Sequence, residues 1–185
     1  MTIQTFNEAL VVRVADATAV NTSTAETVIV PDYPFVAGYF YQGRTIRISA
    51  WGVLSSLTAT TPNITLRFRM GTGTLSATFV VASGALAFTS TAITNGSWRL
   101  EGQLTCRNTG TAGTGMFMGQ VFLPNLTAAT TVGGEGYNNT MPVTGSAVGT
   151  IDTTVQNLMS LSAQWSASSA SNSITVQQYI LEAIT

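Results

Sequence analysis

The chain has 185 residues, of which 45% are hydrophobic and only 8% charged, and its formal net charge is -1. That length fits one domain with a full core, and the hydrophobic share excludes the low-hydrophobicity, high-charge recipe for disorder. All seven cations are Arg, and the absence of His and Lys excludes an imidazole base, a Ser-His-Asp triad, a His-ligated metal, a Schiff-base lysine and a P-loop lysine.

A single cysteine, Cys106, can form neither an intrachain disulfide nor a thiolate zinc cluster. Seven scattered arginines in a slightly acidic chain lack the basic footprint of a nucleic-acid binder. No apolar run approaches the ~20 residues that span a bilayer, so no membrane partner is expected. The opening residues carry no basic segment before a long apolar one, so no secretion signal is expected.

In chain order, residues 1–20 precede the regular pattern and read as an N-terminal arm, with a domain over 21–185. Within the arm, Leu10-Val11-Val12-Arg13-Val14 has the composition of a strand. It is expected to add to another subunit or, alternatively, to pair as the first strand of its own domain. Glu26–Val30 reads as the first core strand, followed by the loop Pro31-Asp32-Tyr33-Pro34. From Thr45 to Val53, Ile46, Ile48 and Ala50 point one way and Thr45, Arg47 and Ser49 the other. Asn63 to Met70 repeats this, with Ile64, Leu66, Phe68 and Met70 opposite Thr65, Arg67 and Arg69.

Leu75–Val81 and Ala85–Thr91 are the next expected strands, and Asn95-Gly96 an expected turn. Ser97 to Arg107 puts Trp98, Leu100, Gly102, Leu104 and Cys106 inward. Asn108–Gly115 reads as a turn. Met116–Leu123 is apolar on both faces, as a strand covered by a second sheet and by another subunit would be. Thr130–Thr140 reads as an exposed loop, and Asn157–Ser166 and Ser173–Ala183 as the last strands. About nine strands, little helix and long intervals at residues 31–43 and 124–142 predict an all-β, jelly-roll-like two-sheet β-sandwich.

Candidate sites are sparse. The carboxylates Glu8, Asp16, Glu26, Asp32, Glu101, Glu135, Asp152 and Glu182 form no pattern of a paired acid and base. Glu135-Gly136-Tyr137-Asn138-Asn139 is the densest oxygen-rich stretch, and a flexible loop accounts for it as well as calcium does. Arg47, Arg67, Arg69, Arg99 and Arg107 are expected together on a polar sheet face, either solvated with cross-strand ion pairs or buried as an interface. Trp98 belongs to the core. Trp51 and Trp165 are open between core and a stacking platform for sugars. Cys106 is expected buried and inert. Five N-x-Ser/Thr triplets, at Asn21, Asn63, Asn95, Asn125 and Asn138, follow from the Ser/Thr-rich composition. No catalytic residue, metal or cofactor is expected.

Several runs also carry a resemblance: Thr22-Ser23-Thr24-Ala25-Glu26-Thr27, Gly43-Arg44-Thr45-Ile46-Arg47-Ile48-Ser49-Ala50-Trp51-Gly52, Ile64-Thr65-Leu66-Arg67-Phe68-Arg69-Met70-Gly71, Trp98-Arg99-Leu100-Glu101-Gly102-Gln103-Leu104-Thr105, and Ala163-Gln164-Trp165-Ser166 through Ser171-Asn172-Ser173-Ile174-Thr175. Over residues 22–184 the chain resembles a group of small tailed-bacteriophage structural proteins that includes capsid decoration (cement) proteins and head or tail appendage domains. The resemblance implies a jelly-roll or similar sandwich, a homotrimer, and a place on the capsid exterior of a virion made in the host bacterial cytoplasm. It supplies no site residues. The implied partners are the protein itself and the major capsid protein, with no nucleic acid, no membrane and no enzymatic activity.

Under that expectation the anchor is the arm, through Phe6, Leu10, Val11, Val12 and Val14, or else the sheet face with Arg67, Arg69 and Arg99. A coat protein of a small RNA virus fits less well, because residues 1–20 hold one Arg against Glu8 and Asp16. The alternative function is a carbohydrate- or receptor-binding domain of a tail fibre or appendage, with a glycan as partner. An enzyme ranks third.

Overall fold

Strict two-residue alternation dominates the long strands, because each must bury one face and wet the other. A computed structural model describes residues 7–56, 62–88, 92–123, 138–143 and 146–184. Among them are the strands β1 (Asn7–Arg13), β2 (Val20–Asn21), β3 (Thr27–Val28), β4 (Tyr33–Phe35), β5 (Thr45–Ser56), β6 (Asn63–Gly71), β7 (Phe79–Ala82), β8 (Leu86–Ala87), β9 (Ile93–Asn108), β10 (Thr114–Phe122), β11 (Asn138–Met141), β12 (Val148–Thr150), β13 (Asn157–Trp165) and β14 (Ser173–Ile184). No helix occurs among the described residues.

The fold is the expected all-β, two-sheet sandwich. A large sheet of eight strands runs β1-β14-β5-β9-β10-β11, with β12 also on β10 and β2 also on β14. A small sheet of six runs β3-β13-β6-β7, with β4 also on β13 and β8 also on β6. The pairings are antiparallel. Ile46, Ile48, Leu66, Phe68, Trp98, Leu100 and Leu104 are buried between the sheets, as their alternation requires. Cys106 is buried with them, and burial pushes its thiol pKa up, which keeps it protonated and unreactive.

At the centre, Phe68 of the small sheet stacks on Phe117 of the large one, with ring centroids 4.2 Å apart and planes within 9°. The Phe117 ring has room because Gly102 and Gly119 are register partners on β9 and β10. A Cβ on Gly102 would stand 2.4 Å from the Phe117 Cζ, and one on Gly119 would stand 3.2 Å from its Cε1. The two glycines therefore let the ring lie flat beneath the large sheet.

Several expectations are corrected. Of the two expectations for Leu10–Val14, the chain shows the pairing with its own domain: Asn7–Arg13 pairs with β14 as the edge strand of the large sheet, and Ala17 N donates to the Val176 carbonyl at 2.8 Å. Glu26–Val30 contracts to Thr27–Val28, with bends at Ile29 and Val30, and Leu75–Val81 becomes Phe79–Ala82, with bends over residues 72–76 before it. Tyr33–Phe35, expected in a loop, pairs with β13. Asn95-Gly96 is a bulge inside β9, with Asn95 at φ 50° and a register shift against β5. Asn138–Thr140, expected in a loop, pairs with β10, while residues 124–137 lie outside the described residues.

Gly102→Ala is expected to destabilise the fold by about 1–3 kcal/mol, the scale of overpacking a filled core. Phe117→Ala should cost about 3–5 kcal/mol through loss of the ring and the cavity left behind. Urea unfolding monitored by circular dichroism measures both, as lower midpoints at an unchanged slope.

Candidate functional site

The two outer faces of the sandwich differ in how their polar side chains are used. On the small sheet, alternation sends Arg67, Arg69, Ser160, Ser162 and Gln164 outward, yet Ser160 and Ser162 are fully buried. The chain engages them with two segments, residues 22–26 and 72–76. Glu26 receives hydrogen bonds from Arg69 at 2.6 Å (Nε) and 2.8 Å (Nη2), a third from the Ser162 hydroxyl, and an ion pair from Arg67 at 3.4 Å. Arg69 also donates to the Leu75 carbonyl at 3.1 Å, Ser160 to the Thr74 carbonyl at 3.0 Å, and Gln164 to the Thr24 carbonyl at 3.1 Å. Asp32 accepts from the Thr74 hydroxyl. Burial alone would raise the pKa of Glu26, but the bonds from Arg69 and Ser162 and the charges of Arg67 and Arg69 outweigh it and hold the carboxyl below its ordinary value.

On the large sheet, three registers cross the outer face. The first carries Glu182, Arg47, Gln103 and Met118; the second Val12, Ile180, Ser49, Glu101, Gln120 and Thr140; the third Gln178, Trp51, Arg99 and Phe122. Arg47 lies 3.6 Å from Glu182, and Arg99 lies 3.9 Å from Glu101, with its guanidinium 3.9 Å over the Phe122 ring. The face carries an open concavity of about 680 Å³ lined by Glu182, Arg47, Gln103 and Met118 of the first register, Ile180, Ser49, Glu101, Gln120 and Thr140 of the second and Trp51 of the third, with Gly102 and Gly119 also in its lining. The glycine pair that admits Phe117 below thus also underlies the concavity above. Ser49, Trp51, Gln103, Gln120 and Thr140 line it without a side-chain hydrogen bond to another described residue.

The sequence expectations separate accordingly. The arginines do not share one face: Arg67 and Arg69 belong to the small sheet, and Arg47, Arg99 and Arg107 to the large one. Arg67 and Arg69 are tied down by Glu26, so the face expected to join them to Arg99 is not formed. Trp98 and Trp165 are core residues whose indole N–H groups donate to the Thr175 carbonyl at 3.1 Å and the Val20 carbonyl at 3.3 Å. Trp51 is partly exposed.

Along the edge strand, Leu10 and Val11 pack against the core, while Val12 is 56% exposed and Val14, just beyond the strand, 83%. Phe6 lies outside the described residues, as do Glu135 and Tyr137. Met118, on the outer side of β10, is 51% exposed. Alternation marked Arg47 and Ser49 as part of one outward row and Glu101 and Gln103 as part of another, and left Trp51 open. Ile180, Glu182, Gln120 and Thr140 were missed, because only the pairing of β14, β5, β9, β10 and β11 brings them to the same concavity.

No protein-family model, curated protein or solved structure matches the chain.

Glu26 has a folded pKa below its unfolded one, so its contribution to stability is present above the ordinary carboxylate range of about 4 and is lost as pH falls through the lower folded value. Glu26→Gln is expected to destabilise the protein by about 1–3 kcal/mol at neutral pH, by leaving Arg67 and Arg69 without their carboxylate. It should also flatten the acid limb of the stability profile. Thermal unfolding of both proteins between pH 2 and 7 measures this.

Proposed function

We propose that this protein is a non-enzymatic structural component of a tailed-bacteriophage virion, a decoration or cement protein that sits on the capsid exterior. In this reading it assembles as a homotrimer and its second partner is the major capsid protein. The number three comes from the resemblance to trimeric phage proteins.

One observation carries the reading. Strand β1 has β14 on one side and no strand on the other among the described residues, and Val12 and Val14 stand in water beside that open edge. Unpaired strand edges with apolar side chains invite another strand, and soluble monomers normally blunt them. A neighbouring subunit or shell protein that adds a strand there satisfies the backbone and covers both valines. Low charge adds to this, since a chain with net charge -1 has little electrostatic protection against association. The carboxylates support a structural role as well. Glu8, Glu26, Glu101 and Glu182 each face an arginine, and Asp152 caps its own turn by accepting from the Thr154 N–H at 2.9 Å.

The double variant Val12→Glu/Val14→Glu places charge at two exposed positions, so its unfolding midpoint should stay close to wild type. Sedimentation velocity should show wild-type trimers at micromolar concentration and a monomeric variant, and micrographs of heads mixed with the variant should show depleted decoration. Monomeric wild type, or full occupancy by the variant, would refute the proposal.

A further inference from the structure

We infer that the concavity on the outer face of the large sheet is a binding site for a neutral oligosaccharide. The first ground is the contrast between the two sheets. The small sheet's outer hydroxyls, amide and guanidinium are engaged by the chain's own covering segments. On the large sheet, the Ser49 and Thr140 hydroxyls, the Gln103 and Gln120 amides and the Trp51 indole N–H have no partner among the described residues. These donors and acceptors are arrayed around a single volume of about 680 Å³, within the range of small-ligand sites.

Trp51 supplies the second ground. The other two indoles are buried and donate to backbone carbonyls, whereas this one is partly exposed, lines the concavity and has no hydrogen-bond partner for its N–H among the described residues. A flat apolar ring surrounded by two-sided hydrogen-bonding groups suits a pyranose, which presents a C–H face to the ring and adjacent hydroxyls at its rim. The charges supply the third. Arg47 and Arg99 are balanced by Glu182 and Glu101 across the same face. That balance gives no attraction to a phosphate backbone or an acidic polymer. Paired guanidinium and carboxylate groups instead offer donors and acceptors at fixed spacing for vicinal hydroxyls. The apolar residues Trp51, Met118 and Ile180 sit on separate strands with polar residues between them, which does not make the continuous stripe an amphipathic helix needs.

The lining of this site does not include Val12 or Val14, the residues proposed for assembly, and the site applies whether the domain decorates a head or a tail. The test uses the full chain on an array of neutral glucose and N-acetylglucosamine oligomers, with sulfated and sialylated counterparts, followed by calorimetry on the best neutral binder. Wild type is expected to bind a neutral oligomer with a shift in tryptophan emission. Trp51→Ala should weaken binding about tenfold or more, as loss of a stacked ring implies, while decoration of heads stays at the wild-type level. The double variant Gln103→Ala/Gln120→Ala changes two exposed side chains and should weaken binding at an unchanged unfolding midpoint, which decides the matter if Trp51→Ala does not fold. The inference is overturned if wild type binds no neutral oligomer at millimolar concentration, if it binds only the anionic glycans, or if the amide double variant binds as wild type does. Loss of head decoration by Trp51→Ala without any glycan binding would also overturn it, because the concavity would then be the shell contact.

Discussion

The Phe68–Phe117 stack is the contact on which both layers of this protein depend. It joins the two sheets at the centre of the core, and it needs Gly102, where a Cβ would stand 2.4 Å from the Phe117 ring, with Gly119 relieving a tight approach beside it. Close-packed interiors allow no spare volume, so a ring of this size needs a matching gap in the opposing wall. The same two backbone positions line the concavity on the solvent side. Core packing and the shape of the outer surface are therefore set by one pair of register partners.

Around that centre the chain treats its two outer faces in opposite ways. Over the small sheet, residues 22–26 and 72–76 satisfy the outward polar groups, with Glu26 collecting bonds from Arg69 and Ser162 and the charge of Arg67. Such a cluster is most favourable when every member is paired, since a lone buried charge would cost several kcal/mol. Over the large sheet no described segment folds back. Its charges pair at the surface, Arg47 with Glu182 across neighbouring strands and Arg99 with Glu101 along β9, where each pair contributes about 1 kcal/mol or less. The small sheet's outward groups are tied to the chain's own segments, whereas the large sheet's outward groups are not covered by any described segment.

The edge of the large sheet is held by a third arrangement. Arg44 packs 4.3 Å over the Tyr39 ring, donates to the Tyr39 hydroxyl at 2.7 Å, and reaches Glu8 of β1 at 3.9 Å. Arg13 donates to the Ala15 carbonyl at 2.9 Å and turns the chain out of β1. These contacts fasten β1 from its inner side and leave its other edge open. An all-arginine set of cations suits such places, because a planar guanidinium can stack and donate at once, as an ammonium cannot.

Strand identity and facing were legible in the sequence wherever alternation was strict. Ile46/Ile48/Ala50, Ile64/Leu66/Phe68/Met70 and Trp98/Leu100/Leu104/Cys106 are the buried rows that their spacing announces, because a two-residue period admits one inward set. The absence of His and Lys likewise limited the chemistry before any fold was known. Strand partners were not legible. Nothing local says that Ser49 lies beside Glu101 and Ile180, or that Arg67 and Arg99 sit on opposite sides of the sandwich, because antiparallel pairing over long sequence separations is decided by how whole strands pack. Ser160 and Ser162 alternate as exposed residues yet are buried, since their partners Thr74 and Glu26 come from 86 and 136 positions earlier in the chain. Composition and alternation, which are local, determined the class of fold and its core; the concavity and the engaged and open faces were decided by non-local pairing, which only the tertiary structure contains.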